Sequence, residues 1–558
     1  MAFVATFSTG GESPVSLRGL SGLAQSAELR LGEESYQIIG RIRLDRRGEL
    51  ISRLNPRFLE CDPAATDADL CLRAYAVWGD DFINHIHGDF AFALWDDQRR
   101  QLFCARDRLG VRTLTYLECG GVWWVSDSLS DLIAASGFVG QALDQVWIKD
   151  FLANGFCDDP SRTVYACAHR LLPGHTLTIA TERTQIYRFW QLEVAEPLFL
   201  KSTGDYLERF HALLGDSIHD RMPVGKVGVL MSGGLDSSTL AAKTVELNGS
   251  ADRVIARTWL VCSDLDPEDR ASRLVAQHLG IQQVLIDGDQ LNYDPDWRVR
   301  PAEGVEPTWA DIYPAARRAD QRAMEQQATC WFYGEGPDNA LTFEWQAYLN
   351  WLAKRSMWSR LPKTVMTYLG TKSLKEWNTT LGVWSGRKQV VWPTPDLSWI
   401  RDSGSGVVPS DDSDDASSWR PHAFKSFRGG QWPFFLEALD SEYASTAIDW
   451  RHPYLELSLL EFMLSTPPIP WGRRKRLIRS AMKSSLPLEI LERDKTPLYH
   501  DTLADKLRHN PPIMPSRGAK ITEFIDIERL PSSNANFMDP YALLRVSILD
   551  HWLNTRNA

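Results

Sequence analysis

Over roughly the first 190 residues, apolar and polar positions alternate in short runs. "VWWVSD", "HTLTIA" and "TQIYRFW" are brief, rich in β-branched and aromatic residues, and read as strands. One longer stretch, "DADLCLRAYAVWGDDFINHI", reads as a helix. The mixture predicts an α+β layered domain over residues 1–195. Polar "EVAEPLFLKSTGD" (193–205) reads as a connector. The period then changes. "VGKVGVLMS" is a continuous apolar run, as a strand buried on both faces requires. "DSSTLAAKTVEL" reads as a helix closed by Asn248 and Gly249, and "RVIARTWLV" and "QQVLID" are further strands. Between those two, a helix is predicted with Asp266 as N-cap and Pro267 at its first position. Its apolar face is Ala271, Leu274, Val275 and Leu279, and it ends at Gly280. Strand–helix alternation predicts an α/β domain with a parallel sheet over 205–558. "SGSGVVPSDDSDDASS" (403–418) is polar and acidic and reads as a flexible loop.

A chain of 558 residues exceeds one ordinary core, which agrees with two domains. The net charge of −11 argues against general nucleic-acid binding. The eight cysteines form no C-x-x-C pair and read as reduced thiols of a cytoplasmic protein. No signal peptide and no apolar run near 18 residues stands out, so no membrane association is expected. His85 and His87 lack a visible third ligand for a metal. Of the 22 Trp residues, many fall between Trp345 and Trp432. They read as the packing of a helical subdomain or as an aromatic surface for a peptide.

The strongest local signal is "SGGLDSS", Ser232 to Ser238, between a buried strand and a helix. At such a junction backbone N–H groups and the helix dipole converge beyond the strand's carboxyl end. Gly233 and Gly234 let the main chain approach an anion, and the hydroxyls of Ser232, Ser237 and Ser238 add donors. Asp236 would repel phosphate unless a cation lay between them, which makes it a natural Mg²⁺ ligand. In "WFYGEGPDNAL" (331–341) a strand runs into Gly334, Glu335 and Gly336, then Asp338. In a parallel sheet that loop faces the same crevice, where Asp338 can share the Mg²⁺ with Asp236; alone, the stretch reads rather as an acidic turn. The basic run Arg473–Arg479 reads as a solvated helix face, and Lys495 in "ERDKTP" reads by itself as a surface lysine.

In this order, these segments resemble the asparagine synthetase family. "SGGLDSS" is similar to its pyrophosphate loop, "GEGPDN" to its SGEGSDE segment, "DWRHPYLE" to its RxPFLD segment and "ERDK" to its catalytic R-x-K segment. "HIHGDFAFALWDDQRRQLFCARDRLGVRTLTY" (85–116) is similar to a block of its N-terminal domain, and "LLRVSILDHWL" to its closing helix. The resemblance implies a glutaminase-like (Ntn-type) αββα sandwich followed by an adenine-nucleotide α-hydrolase-like synthetase domain. It implies ATP and Mg²⁺, with Ser232, Gly233, Gly234, Asp236, Ser237, Ser238 and Gly334 at the nucleotide. Asp236 and Asp338 match the metal ligands, and Lys495 the lysine at the adenylation transition state and departing pyrophosphate. Glu335 and Asp449 match positions that would orient or deprotonate the reacting amine. Tyr333, Pro337 and Asn339 depart from the family pattern.

Glutamine-using members carry Cys directly after the initiator Met; here that position is Ala2, and Arg46 or Arg47 stands where an oxyanion Asn would. The expectation is a first domain without glutaminase activity and a substrate that supplies its own amine. That pattern resembles the lasso-peptide cyclase branch. A side-chain Asp or Glu of a core peptide is adenylated, and the peptide's N-terminal amine closes a macrolactam. The partners then expected are the precursor peptide, a leader peptidase and a leader-recognition protein. A β-lactam synthetase-like or ammonia-dependent asparagine synthetase-like ligase is the same-mechanism alternative. A non-catalytic peptide-binding scaffold is the alternative of another class.

Overall fold

The computed structural model describes residues 3–8, 15–55, 62–138, 142–260, 267–370, 396–401, 418–440, 448–494, 501–531 and 539–556. Strand alternation builds the first domain. β1 (Phe3–Ser8), β2 (Val15–Gly19), β3 (Gln25–Leu31), β4 (Glu34–Leu44), β5 (Gly88–Asp96), β6 (Gln101–Arg106), β7 (Thr115–Cys119), β8 (Val122–Ser126), β9 (Ala168–Arg170), β10 (His175–Ala180) and β11 (Arg183–Arg188) form two antiparallel sheets. Their orders are β2-β1-β8-β7-β9 and β11-β10-β6-β5-β4-β3. Along β5, Phe90, Phe92 and Leu94 point to one face, against α1 (Arg47–Leu54) and α2 (Asp67–Trp78). Ala91, Ala93 and Trp95 point to the other, against Phe3, Phe7 and Val125 of the facing sheet. α3 (Leu129–Ser136) and α4 (Gln145–Asn154) cover the far side of that sheet through Leu129, Leu132 and Trp147. The layers therefore run α, β, β, α, as the resemblance implies. The long predicted helix stops at Trp78, because Gly79 takes a φ of 57° and the chain continues as a 3₁₀ turn to Asn84.

The connector ends earlier than the polarity suggests. α5 (Thr203–Arg221) starts inside it, held by a capping box between Ser202 and Asp205. The stretch before it is strapped down, with the Leu198 N–H donating to the Ser465 carbonyl at 2.7 Å.

The second domain is a parallel sheet in the order β14-β13-β12-β15-β16. Its strands are β12 (Val227–Leu230), β13 (Val254–Leu260), β14 (Gln282–Asp287), β15 (Cys330–Phe332) and β16 (Asp449–Arg451). Val227, Val229 and Phe332 meet α5 and α6 (Leu235–Asn248) on one face. Ile255 and Trp331 meet Met324 of α8 (Ala315–Gln327) on the other. Burial on both faces is why these strands read as unbroken apolar runs. α7 (Pro267–Leu279) has the predicted span; its expected N-cap Asp266 and the acidic 403–417 stretch lie outside the described residues. The strand order reverses beside β12: β13 and β14 lie to one side of it, β15 and β16 to the other. Crevices at the carboxyl ends of strands open at such reversals.

The domains are joined by buried charges. Arg41 meets Asp440 at 2.6 Å, Arg221 meets Asp45 at 2.9 Å and Arg170 meets Glu437 at 2.8 Å. The final helix, Asp539–Thr555, docks on α4, with Arg545 donating to the carbonyls of Leu152 and Ala153. Of the tryptophans noted above, Trp345 and Trp351 pack in a small cluster with Tyr348, Tyr368 and Trp419, and Trp358 is exposed. Trp377, Trp384 and Trp392 lie outside the described residues. Among the described residues no helix is long and apolar enough to cross a membrane.

Candidate active site

The two loops that leave neighbouring strands β12 and β15 meet at their carboxyl ends. Gly233 makes the first loop possible. Its φ is 73°, and a Cβ there would lie 2.5 Å from the Ser272 nitrogen of α7. The turn is closed from within: the Ser232 N–H donates to Ser237 Oγ at 3.2 Å, and the Gly234 N–H to Ser232 Oγ at 3.2 Å. Ser238 is fully buried at the start of α6, and its hydroxyl has no partner among the described residues. The second loop presses against the first; a Cβ on Gly334 would sit 3.3 Å from the Ser237 nitrogen. Tyr454, from the "DWRHPYLE" segment, donates its hydroxyl to the Asp236 carbonyl at 3.0 Å. Arg493, from "ERDK", donates to the Gly233 carbonyl at 3.3 Å.

Between the loops lies a cleft of roughly 620 Å³. Its wall includes Ser232–Ser237, Glu335 and Asp338. Asp236 and Asp338 converge on one atom, the Nζ of Lys475, which contacts Asp338 Oδ1 at 2.6 Å and also pairs with Asp236 Oδ2. Burial works against the ammonium, but the two carboxylates outweigh it and its pKa is raised. Sequence reading missed this lysine by placing it on a solvated helix face. In the structure the helix begins only at Arg476, and Arg474 and Lys475 hold left-handed backbones with φ of 49° and 52°. Such backbone costs roughly 1–2 kcal/mol per non-glycine residue and concentrates at functional sites. Here it turns Lys475 inward. The signal available beforehand was the Gly472 break just ahead of the run.

The donor set suits Mg²⁺. Two hard carboxylate oxygens reach a common point, and the remaining positions are left for substrate phosphates and water. Among the described residues no group of three or more His, Cys, Asp or Glu forms an all-protein metal cage, which is the arrangement Mg²⁺ avoids.

Not every expected residue is brought here. Asp449 does not line the cleft. It faces the domain interface, where Arg112 contacts it at 2.6 Å and Arg451 at 2.7 Å. Burial alone would raise its carboxyl; the two guanidiniums outweigh that and hold it well below the usual carboxylate range. Asp449 is therefore a structural counter-ion, and the role of amine base read from its segment is corrected. Lys495 and Ala2 lie outside the described residues. Arg46 and Arg47, read as replacements of an oxyanion donor, are both engaged: Arg47 with Asp67, and Arg46 with Glu456 of the second domain at 3.2 Å.

An asparagine synthase model matches residues 209–514, more than half of the chain, and a glutamine amidotransferase domain model matches 50–190. The chain belongs to the asparagine synthase family. Enzymes of that family use ATP with Mg²⁺. Among curated relatives, asparagine synthetase [glutamine-hydrolyzing] 3 of Bacillus subtilis is 30% identical over 32% of this chain and 28% of its own length. Asparagine synthetase [glutamine-hydrolyzing] 2 of the same organism is 23% identical over 78% of this chain and 59% of its own length. The matches thus span less than two thirds of these relatives. A solved glutamine phosphoribosylpyrophosphate amidotransferase from B. subtilis, 11% identical, overlaps 56% of this chain and 78% of that one with a TM-score of 0.25, too weak to be informative.

Proposed function

We propose that this chain is an ATP-dependent, AMP-forming amide ligase that does not hydrolyse glutamine, and that its substrate is a core peptide closed into a macrolactam. The observation that carries the ligase reading is the meeting of Asp236, Asp338 and Lys475 beside the Ser232–Ser238 loop. The loop's N–H groups and the start of α6 offer a cradle for ATP phosphates. Asp236 and Asp338 are the residues that would hold Mg²⁺, which when bound would supply positive charge against the phosphates. The substrate carboxylate attacks the α-phosphorus and the bond to pyrophosphate breaks. Lys475 supplies a preorganised positive charge facing the leaving group. An amine of the same molecule then attacks the acyl carbon, AMP leaves, and the amine loses a proton. Glu335, one of the carboxylates on the cleft wall, is assigned to take it.

Two observations support an amine that does not come from glutamine. The side chain of Ala2 is a methyl group and offers no nucleophile. Arg46 is consumed in joining the domains, its N–H donating to Asp220 at 3.0 Å and its guanidinium pairing with Glu456. A peptide substrate is favoured by the aromatic chamber described below. The curated relatives' names, asparagine synthetase [glutamine-hydrolyzing], favour a second reading, an asparagine synthetase-like ligase with a small amino acid as substrate, and they speak for glutamine as the amine source. The test is incubation with ATP, Mg²⁺ and precursor peptide in the presence of its leader-processing proteins. Loss of one water from the core peptide with AMP formed supports cyclisation. AMP formed only with aspartate and ammonia, or with a small β-amino acid, sinks the peptide reading. Glutamate released from glutamine sinks the glutaminase-free one.

A further inference from the structure

A second cavity, of about 330 Å³, adjoins the nucleotide cleft. Trp259 and Tyr333 line both, so they form the partition between them. The chamber's walls come from both domains: Trp147 and Arg170 from the first, Trp309, Tyr313, Phe434 and Trp450 from the second. Eight aromatic side chains line it, and charged groups reach it as well. Arg170 is neutralised there by Glu306 and Glu437, and Arg162 by Asp144 and Asp159. Arg317 is different. Its guanidinium lies 3.8 Å over the Tyr313 ring and 5.5 Å over the Trp259 ring. No carboxylate among the described residues pairs with it, and its Nε is buried without a hydrogen-bond partner. The nearest acid on its own helix, Asp320, is committed elsewhere: it pairs with Arg257 and accepts from Trp259 Nε1 at 3.0 Å. A guanidinium bracketed by two π faces is held flat, with its donor edges left for a planar anion. Burial pushes the Tyr333 phenol up to about 12, Glu335 adding to the rise and Arg317 opposing it, which agrees with Tyr333 standing between the cleft and the chamber.

We propose that this chamber is a substrate subsite that takes an aromatic residue carrying a free carboxylate, the ring packing among Trp147, Trp309 and Phe434 and the carboxylate pairing with Arg317. At about 330 Å³ it is at the small end of ligand pockets, sized for one large residue rather than a long segment. That carboxylate is not the one activated; it anchors the substrate while another group reaches past Tyr333 to the nucleotide. The anchoring role in catalysis rests on the ligase reading above, whereas the binding itself does not.

The probe is N-acetyl-L-tryptophan, with N-acetyl-L-tryptophanamide as its uncharged partner, titrated calorimetrically into the full chain. The acid binds and the amide binds at least about ten-fold more weakly, since one charge-assisted pair is lost. Arg317→Met brings the acid down to the level of the amide, while binding of a non-hydrolysable ATP analogue with Mg²⁺ is retained. Ala438→Trp, which puts an indole into the chamber from an exposed helical position, abolishes binding of both probes and leaves nucleotide binding unchanged. Equal affinity for acid and amide, an Arg317→Met protein that binds the acid as wild type does, or no binding at millimolar acid would overturn the proposal. Loss of pyrophosphate chemistry with probe binding intact would count against the ligase reading alone.

Discussion

Replacing Lys475 with Met isolates the central electrostatic claim. The lysine side chain is 17% exposed, Asp236 14% and Asp338 42%. The contact to buried Asp236 therefore dominates: one charge-assisted hydrogen bond is worth about 1.5–3 kcal/mol. The contact to half-solvated Asp338 adds less than about 1 kcal/mol after screening. Met inherits the left-handed backbone at φ 52° and relieves no strain. The expected loss is about 2 kcal/mol in urea unfolding. Its pH dependence has a definite sign. The folded pKa of Lys475 is raised, so its contribution is complete below the unfolded value near 10.4 and is lost only as pH climbs through the folded value. The gap between wild type and variant should thus stay flat from about pH 6 to 9. Mg²⁺ should raise the variant's melting temperature more than the wild type's, because the cation takes the ammonium's place between two otherwise repelling carboxylates. Pyrophosphate exchange should fall about 10²–10³-fold, the usual cost of losing one preorganised charge at a leaving group. A variant with unchanged stability, unchanged Mg²⁺ response and unchanged exchange would refute the assignment of Lys475 to the site.

Gly233→Ala should abolish nucleotide-analogue binding and cost more than about 2 kcal/mol, since left-handed strain adds to the clash with Ser272, as measured by calorimetry and urea titration. Arg112→Met should destabilise by about 3 kcal/mol or more, because Asp440 and Asp449 lose a counter-ion in a buried interface; a smaller change in urea unfolding would mean that the domains are held otherwise. His452 and His87 have their imidazoles pushed down to about 4 by burial. The unfolded chain then binds protons that the folded one does not, so stability should fall as pH drops from about 6.5 to about 4, and His452→Gln should reduce that slope.

Much of the fold was legible because both strand patterns carry their burial in the sequence. The short runs at 122–127 and 175–180 announced strands of a layered domain, and the unbroken run ending at Met231 announced one covered on both faces. The loop at Ser232–Ser238 and its neighbour at Gly334–Asp338 were legible as well, since glycine and acid spacing is a local property. Lys475 was not, because a run of Arg and Lys looks the same whether it faces water or a pair of carboxylates. Asp449 misled for the converse reason: its segment carries a recognisable pattern, while the partner that disarms it, Arg112, comes from the other domain 337 residues away in sequence. The aromatic chamber has no sequence pattern at all; Trp147 and Trp309 share a wall although they belong to different domains.

By itself, then, the sequence determined a layered α+β first domain, the parallel sheet of the second and the glycine turn at Ser232–Ser238, because each follows from periodicity or from short-range backbone chemistry; the order of the layers came from the family resemblance. Only the tertiary structure decided which charges face the cleft, which are spent as interface counter-ions, and that the Arg317 guanidinium lies over aromatic rings with no carboxylate partner among the described residues. Those outcomes depend on what lies within about 4 Å in space, and separation along the chain carries no information about that distance.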